Sequence, residues 1–231
     1  MAVEQTSEDV RAEHMRLMGD DLGAIYYELW TQVSWLHLKW QRFIALFGGP
    51  KGTVDLMNAT APAFFAEIQR TTLMDILLHI SCLTDPPETG RKKGVQPNLT
   101  LRRLPDLLPD AIVRTAVHKE LQELGDRCRF ARDWRNRHIA HRDLELLTQP
   151  TQCRPLDSPA REKIEKALAG IRDVMNTVLA HFKKARTLYE YGLGSPGDAE
   201  DLIYYLREGF EARRRRLAEL QASVRLQSTQ G

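Results

Sequence analysis

The sequence predicts an all-α protein, an up-and-down bundle of four to five main helices. Three observations carry that reading. Apolar residues recur at spacings of three and four over most of the chain, no stretch shows the period-two alternation of a strand, and Gly- and Pro-rich breaks separate the periodic segments. Composition agrees: 231 residues, 42% hydrophobic and 28% charged, fit one domain with flanking segments, or at most two small ones, with a real core. The longest apolar runs, Phe43–Phe47 and Met74–Ile80, fall far short of the ~20 residues that cross a bilayer. Met1–Val10 lacks the basic start and apolar run of a signal peptide, so no membrane is expected. Cys82, Cys128 and Cys153 form no close pair, which argues against a disulfide framework or zinc ribbon and for a reducing cytoplasm. The expected organisation is a leader helix over 1–21, the bundle over 22–192, and an Arg-rich helix with a tail over 193–231.

Glu8–Met18 reads as a short helix capped by Ser7 and stopped at Gly19-Asp20-Asp21. Ile25, Leu29, Val33, Leu36, Trp40, Phe43 and Phe47 define a long amphipathic helix from Leu22 to Phe47, closed by Gly48-Gly49-Pro50. Its tryptophans and phenylalanines are expected in the core or a dimer contact, and His37 on or near the solvated side. Val54–Leu83 reads as helix with Pro62 marking a start or kink, and Asp85-Pro86-Pro87 forbids its continuation. His79 is expected to be a hydrogen-bonded core histidine. Glu88–Asn98 is expected to be a loop and Leu101–Leu108 a short helix. Asp110–Leu147 reads as one helix, with a break at Gly125-Asp126. Gln149–Pro159 is a second loop; Ser158 and Pro159 then open a helix to Tyr191. Gly192–Gly197 ends it, and Ala199–Gln221 forms the last helix.

The net charge of +2 says little, but its distribution says more. Between Asp126 and Arg142 six arginines (127, 129, 132, 135, 137 and 142) stand against two acids (126 and 133), a density suited to a polyanion such as RNA. Arg213–Arg216 forms a second cluster, read as a solvated face that serves packing or dimer support. Within the first cluster, Trp134–Asp143 concentrates the chain's chemistry. On a straight helix Arg135 and His141 sit ~120° apart around the axis and ~9 Å apart along it. One copy is therefore splayed, and two copies across a twofold axis would close a basic cleft. The chemistry that fits is RNA cleavage without a metal: the 2′-hydroxyl is a built-in nucleophile, histidine moves protons at neutral pH, and arginine clamps phosphate. Asn136 would orient a histidine or bond the backbone. Two rivals stand beside this. His138 and His141 have i, i+3 spacing for a metal, but no carboxylate or cysteine completes the set. The bland alternative is an Arg/His/Asp network that ties helices together, with Asp133–Arg137 as an i, i+4 pair.

Arg135-Asn136-Arg137-His138-Ile139-Ala140-His141 also resembles the Arg-polar-x(4–6)-His signature of the HEPN superfamily (higher eukaryotes and prokaryotes nucleotide-binding). Phe64–Thr84 with Asp85-Pro86-Pro87, Asn98-Leu99-Thr100-Leu101, Arg132-Asp133-Trp134 and Ile139–Asp143 resemble its bacterial abortive-infection branch, over residues 22–190. The resemblance implies a homodimeric helical bundle acting as a metal-independent endoribonuclease, a toxin or phage-defence protein, without cofactor. Arg135, His141 and Asn136 would be catalytic, and Arg132, Arg137, His138 and Arg142 would bind RNA. An antitoxin or defence-system protein would be a further partner. Other members of the superfamily have lost catalysis, so an inactive RNA- or protein-binding module is the alternative. Five residues separate Arg135 from His141, where four is commonest. Asp143 stands where the members silenced by a nucleotidyltransferase carry tyrosine. Arg132 and His138 repeat the same spacing, which leaves the assignment open.

Overall fold

A computed structural model of the chain describes residues 6–91, 94–141, 143–148, 153–190 and 197–228. The described residues are almost entirely helical: α1 (Ser7–Met18), α2 (Asp20–Phe47), α3 (Lys51–Thr60), α4 (Pro62–Leu83), α5 (Leu104–Leu107), α6 (Ala111–Arg127), α7 (Arg129–Trp134), α8 (Leu144–Thr148), α9 (Arg161–Phe182) and α10 (Ala199–Ser228). The all-α class holds. The chain forms two compact units, one of Met1–Leu38 with Met74–Gly192, the other of Lys39–Leu73 with Leu193–Gly231.

In the first unit the periodic residues of the sequence meet. Leu22, Leu29, Val33 and Leu36 of α2, Ile76, Leu77 and Ile80 of α4, Val117 and Leu124 of α6, and Ile164, Ile171, Val174 and Val178 of α9 are all buried. Two glycines set how closely helices approach. Gly19, at φ +86°, turns α1 back on α2, and a methyl group at Gly23 would lie 2.4 Å from Met15 Cα. A methyl group at Gly170 of α9 would lie 2.9 Å from Leu124 Cδ1 of α6. In the second unit Met57 and Phe65 are buried, and Arg42 holds Asp198 at 2.8 Å, just before α10.

Several expected boundaries shift, each for a local reason. Thr6, not Ser7, caps α1: its hydroxyl accepts from the Asp9 N–H at 3.2 Å while the Asp9 carboxylate accepts from the Thr6 N–H at 3.0 Å. The helix expected over Val54–Leu83 is two, because the chain extends at Ala61 and Pro62 opens α4 as a first-turn residue. Glu88–Asn98 is not a plain loop but a hairpin, β1 (Glu88–Arg91) antiparallel to β2 (Gly94–Pro97). Its β2 residues are all exposed, so no alternation marks it. Asn98 closes its base, donating to the Pro86 carbonyl at 3.0 Å and the Thr89 hydroxyl at 2.8 Å.

Asp110 caps α6, accepting from Ile112 N at 2.7 Å, but the break falls at Cys128 and not at Gly125-Asp126. The helix expected from Pro159 to Tyr191 spans only Arg161–Phe182, and Ser158 does not cap it. Asn176 explains the early end: it donates to the Thr187 carbonyl at 3.1 Å and accepts from Thr187 N at 2.8 Å, holding residues 183–188 off the helix axis. The last helix runs beyond Gln221 to Ser228. His79 is half-buried with both ring nitrogens shielded from water, which fits the core placement expected of it and leaves the expected hydrogen bond unshown. His37, expected near solvent, is only 4% exposed and stacks on Tyr189 at 5.3 Å, because the segment after α9 covers the α2 face that looked free.

This packing can be tested at two places. Burial lowers the His37 pKa to about 4, against the opposing pull of Glu190 and a hydrogen bond to the Leu168 backbone. Between that value and the free ~6.5 the unfolded chain binds the extra proton, so stability falls as pH drops through this window, by about 3 kcal/mol in all. Denaturant midpoints measured from pH 7 to 4 should show that loss in the wild type and a flatter profile in His37→Phe; parallel profiles would exclude His37 as the source. At the α1–α2 crossing, Gly23→Ala should cost about 3 kcal/mol through overpacking against backbone. Gly209→Ala in α10, where nothing lies within 4 Å, should instead stabilise by about 1 kcal/mol. Thermal melts of the two variants check the opposite signs.

Candidate functional site

The Arg-rich stretch does not lie on a straight helix. After α7, residues Arg135–Ile139 form a π turn, closed by Ala140 N donating to the Arg135 carbonyl at 2.8 Å, five residues back. The chain then bends at Ala140 and His141, and Asp143 N bonds the Arg137 carbonyl at 3.1 Å. The straight-helix angle between Arg135 and His141 is therefore replaced by a wider turn and a bend. Asn136 and His141 are exposed, and Arg135, Arg137 and His138 are half-buried. Arg142 lies outside the described residues.

The arginines divide between two anchoring points. The first is the C-terminal end of α4, where unsatisfied carbonyls carry the negative end of the helix dipole. Thr84, 2% exposed, offers its carbonyl to Arg102 Nε at 3.0 Å and to Arg132 Nη2 at 3.1 Å. Asp85, the next residue, pairs through Oδ2 with Arg135 Nη1, and its Oδ1 stands 4.0 Å from Arg132 Nε. Arg135 Nε also donates to Asn136 Oδ1 at 3.0 Å. Arg135 is thus fixed at both ends of its guanidinium by an acid and an amide, with about a quarter of its side chain accessible.

The second anchoring point surrounds Arg137. Its Nε bonds Asp143 at 3.2 Å, its Nη1 lies 3.5 Å from Asp133, and its Nη2 donates to the Arg154 carbonyl at 2.7 Å. Asp133 in turn accepts from the Arg154 guanidinium at 2.6 Å. This is the i, i+4 pair foreseen for Asp133 and Arg137, enlarged by residues 143 and 154. His138 meets the edge of Trp134 at 5.2 Å between centroids, and the Trp134 indole donates to the Asp157 carbonyl at 2.7 Å.

The candidate residues therefore separate. Arg135 and Asn136 are held together; His141 lies outside their hydrogen bonds, exposed on the bend. Arg132 and Arg137 spend their donors within the fold, and His138 packs on Trp134. Asp85, Thr84, Arg102 and Arg154 carry no role in the sequence reading, although Asp85-Pro86-Pro87 stood out as a helix stop. An acid fixed by a double proline beside an Arg-rich helix was the available signal. Among the described residues no three His, Cys, Asp or Glu side chains cluster as a metal-ion site. No helix among them is long and apolar enough to cross a membrane.

Comparison with known proteins adds one finding. No curated protein and no solved structure gives a significant match. The model of the HEPN-type family AbiU2 matches residues 19–202, which include α2 through α9 and every candidate residue of the Arg-rich stretch. The chain belongs to the AbiU2 family of HEPN-type abortive-infection proteins.

Proposed function

We propose that this protein is a metal-independent endoribonuclease of phage defence, acting as a toxin at a cleft formed by two copies of the chain. The observation that carries this reading is the arrangement around the π turn: Arg135 is held by Asp85 and Asn136 while His141 is open to solvent six residues on. A phosphate-clamping group must be pre-oriented, and a proton-transfer group must be reachable by substrate.

In the proposed reaction a neutral His141 takes the proton of the RNA 2′-hydroxyl. The 2′-oxygen attacks the adjacent phosphorus, and the bond to the 5′-oxygen breaks. The leaving 5′-oxygen receives a proton from the His141 of a second copy, which enters the step as imidazolium and leaves it neutral, and Arg135 stabilises the charge that grows on the equatorial oxygens. The products are a 2′,3′-cyclic phosphate and a 5′-hydroxyl. Asn136 keeps Arg135 aimed at the phosphate. Arg132, Arg137 and the Trp134-packed His138 brace the turn, and Arg142 adds a contact to a neighbouring phosphate. The site acts in the cytoplasm without a cofactor, and a defence-system partner protein restrains it. A second reading, an RNA- or protein-binding module without catalysis, is favoured by one observation: the Asp85 carboxylate already occupies Arg135 where a phosphate would bind.

Purified protein should cleave single-stranded RNA in EDTA and leave cyclic-phosphate ends. His141→Ala and Arg135→Ala should each lower the rate by about 10²–10³ with the fold intact by circular dichroism. Equal cleavage by wild type and both variants would reject the assignment, and RNA binding without any cleavage would favour the second reading. The same geometry makes Asp85 a positioning residue. Asp85→Asn should reduce kcat about tenfold or more with KM little changed, and destabilise the fold by about 2 kcal/mol. A loss of stability without any change in kcat would leave Asp85 a purely structural anchor.

A further inference from the structure

Helix α10 changes character at its middle. Before residue 212 it is partly covered: Ile203, Leu206, Phe210 and Glu211 are half-buried, and Arg42 grips Asp198 at the start. From 212 to 223 every residue is exposed, as is Arg225. Residues 212–223 therefore contribute no buried surface to a core among the described residues. Its charge differs as well. Residues 199–211 carry Arg207 against four acids (200, 201, 208 and 211), a net −3, whereas residues 212–225 carry five arginines against Glu219, a net +4.

The four consecutive arginines Arg213–Arg216 are poorly compensated. Arg214 lies 3.5 Å from Glu211, with its side chain 72% exposed. No ion pair engages Arg213, Arg215 or Arg216 among the described residues. Four adjacent cations lie well within the ~8 Å screening length at physiological salt and repel one another. Bound phosphates would relieve that repulsion and release condensed counterions.

Direction selects the polyanion. Successive residues advance ~100° around the axis, so the four guanidinium groups point to four sides of the helix. A flat bilayer would meet about half of them. Leu217 (48% exposed) and Leu220 (55% exposed) do offer an apolar edge. Arg213, however, lies four and seven residues before them on the same stripe, and an acyl layer or a second copy would have to bury it. A flexible polynucleotide can pass around the helix and reach several arginines at once.

We propose that residues 212–225 form an arm that binds the phosphate backbone of RNA without reading sequence. The choice of RNA rests on the ribonuclease reading; the arm's own test does not need cleavage. Full-length His141→Ala is titrated with a fluorescent single-stranded 20-mer RNA across a salt series. It is compared with the same chain carrying Gln, and then Lys, at positions 213–216. Each released phosphate contact contributes about −0.7 to the slope of log K against log salt, so the Gln chain should lose about 1.5 to 3 units of slope. Its low-salt affinity should fall at least tenfold, and the Lys chain should retain the slope. Equal slopes, or no RNA binding by the parent, overturn the arm. So does a Gln chain that loses binding to phosphatidylglycerol–phosphatidylcholine vesicles, or loses self-association, with its RNA slope unchanged. If the wild type fails to cleave RNA while the slope difference stands, the ribonuclease reading falls and the arm remains. Wild-type cleavage with equal slopes removes the arm alone.

Discussion

The end of α4 is the point on which the candidate site depends. A helix that stops in the protein interior leaves carbonyl oxygens without partners, and here Thr84 is nearly inaccessible to water. Two arginines from different elements satisfy its carbonyl, and a third takes the carboxylate one residue later. The double proline after Asp85 makes the stop abrupt. Requirements of the backbone therefore gather Arg102, Arg132 and Arg135 in one place before any substrate is considered. Positive charge so collected carries a fold cost unless it is paired, and Asp85 supplies the pairing.

The Arg137 cluster does the converse. Its partners come from α7, from the bend and from the segment before α9. One arginine of the stretch thus ties the turn forward in sequence while two tie it back. Of the candidates on the turn, Asn136 is tied to Arg135, and His141 stays exposed on the bend. The aromatic contact of His138 with Trp134, itself bonded to the backbone before α9, removes a third candidate from open solvent.

The sequence made the helices legible wherever apolar periodicity ran for several turns, as in α2, α4, α6 and α9. It also made the Arg-His stretch legible as the concentrated polar feature of an amphipathic pattern. The features that stayed hidden have a common cause: they depend on partners remote in sequence. His37 is a polar side chain between the buried Val33 and Trp40 of α2, and the residues that cover it, Leu168 and Tyr189, lie far along the chain. The hairpin lacks alternation because β2 has no buried face, and the bonds of Asn98 that close it span up to twelve residues. Asp85 could be seen as a stop but not as an anchor, since its partner Arg135 lies fifty residues away. The π turn left no local trace that a helix pattern would register.

That turn gives a different meaning to the length of the motif. A ring closed from residue 140 to residue 135 holds one residue more than an ordinary helical turn. Five residues separate the arginine from the histidine here, where the related signature most often has four, and the π turn offers the surplus a place without unwinding the helix before it. Spacing along the chain and spacing across the surface are then separate quantities. An insertion of one residue in a helix need not rotate the residues beyond it by a full angular step, because the widened turn takes it up. A signature written as a range of lengths describes, in such a case, several ways of reaching a similar placement.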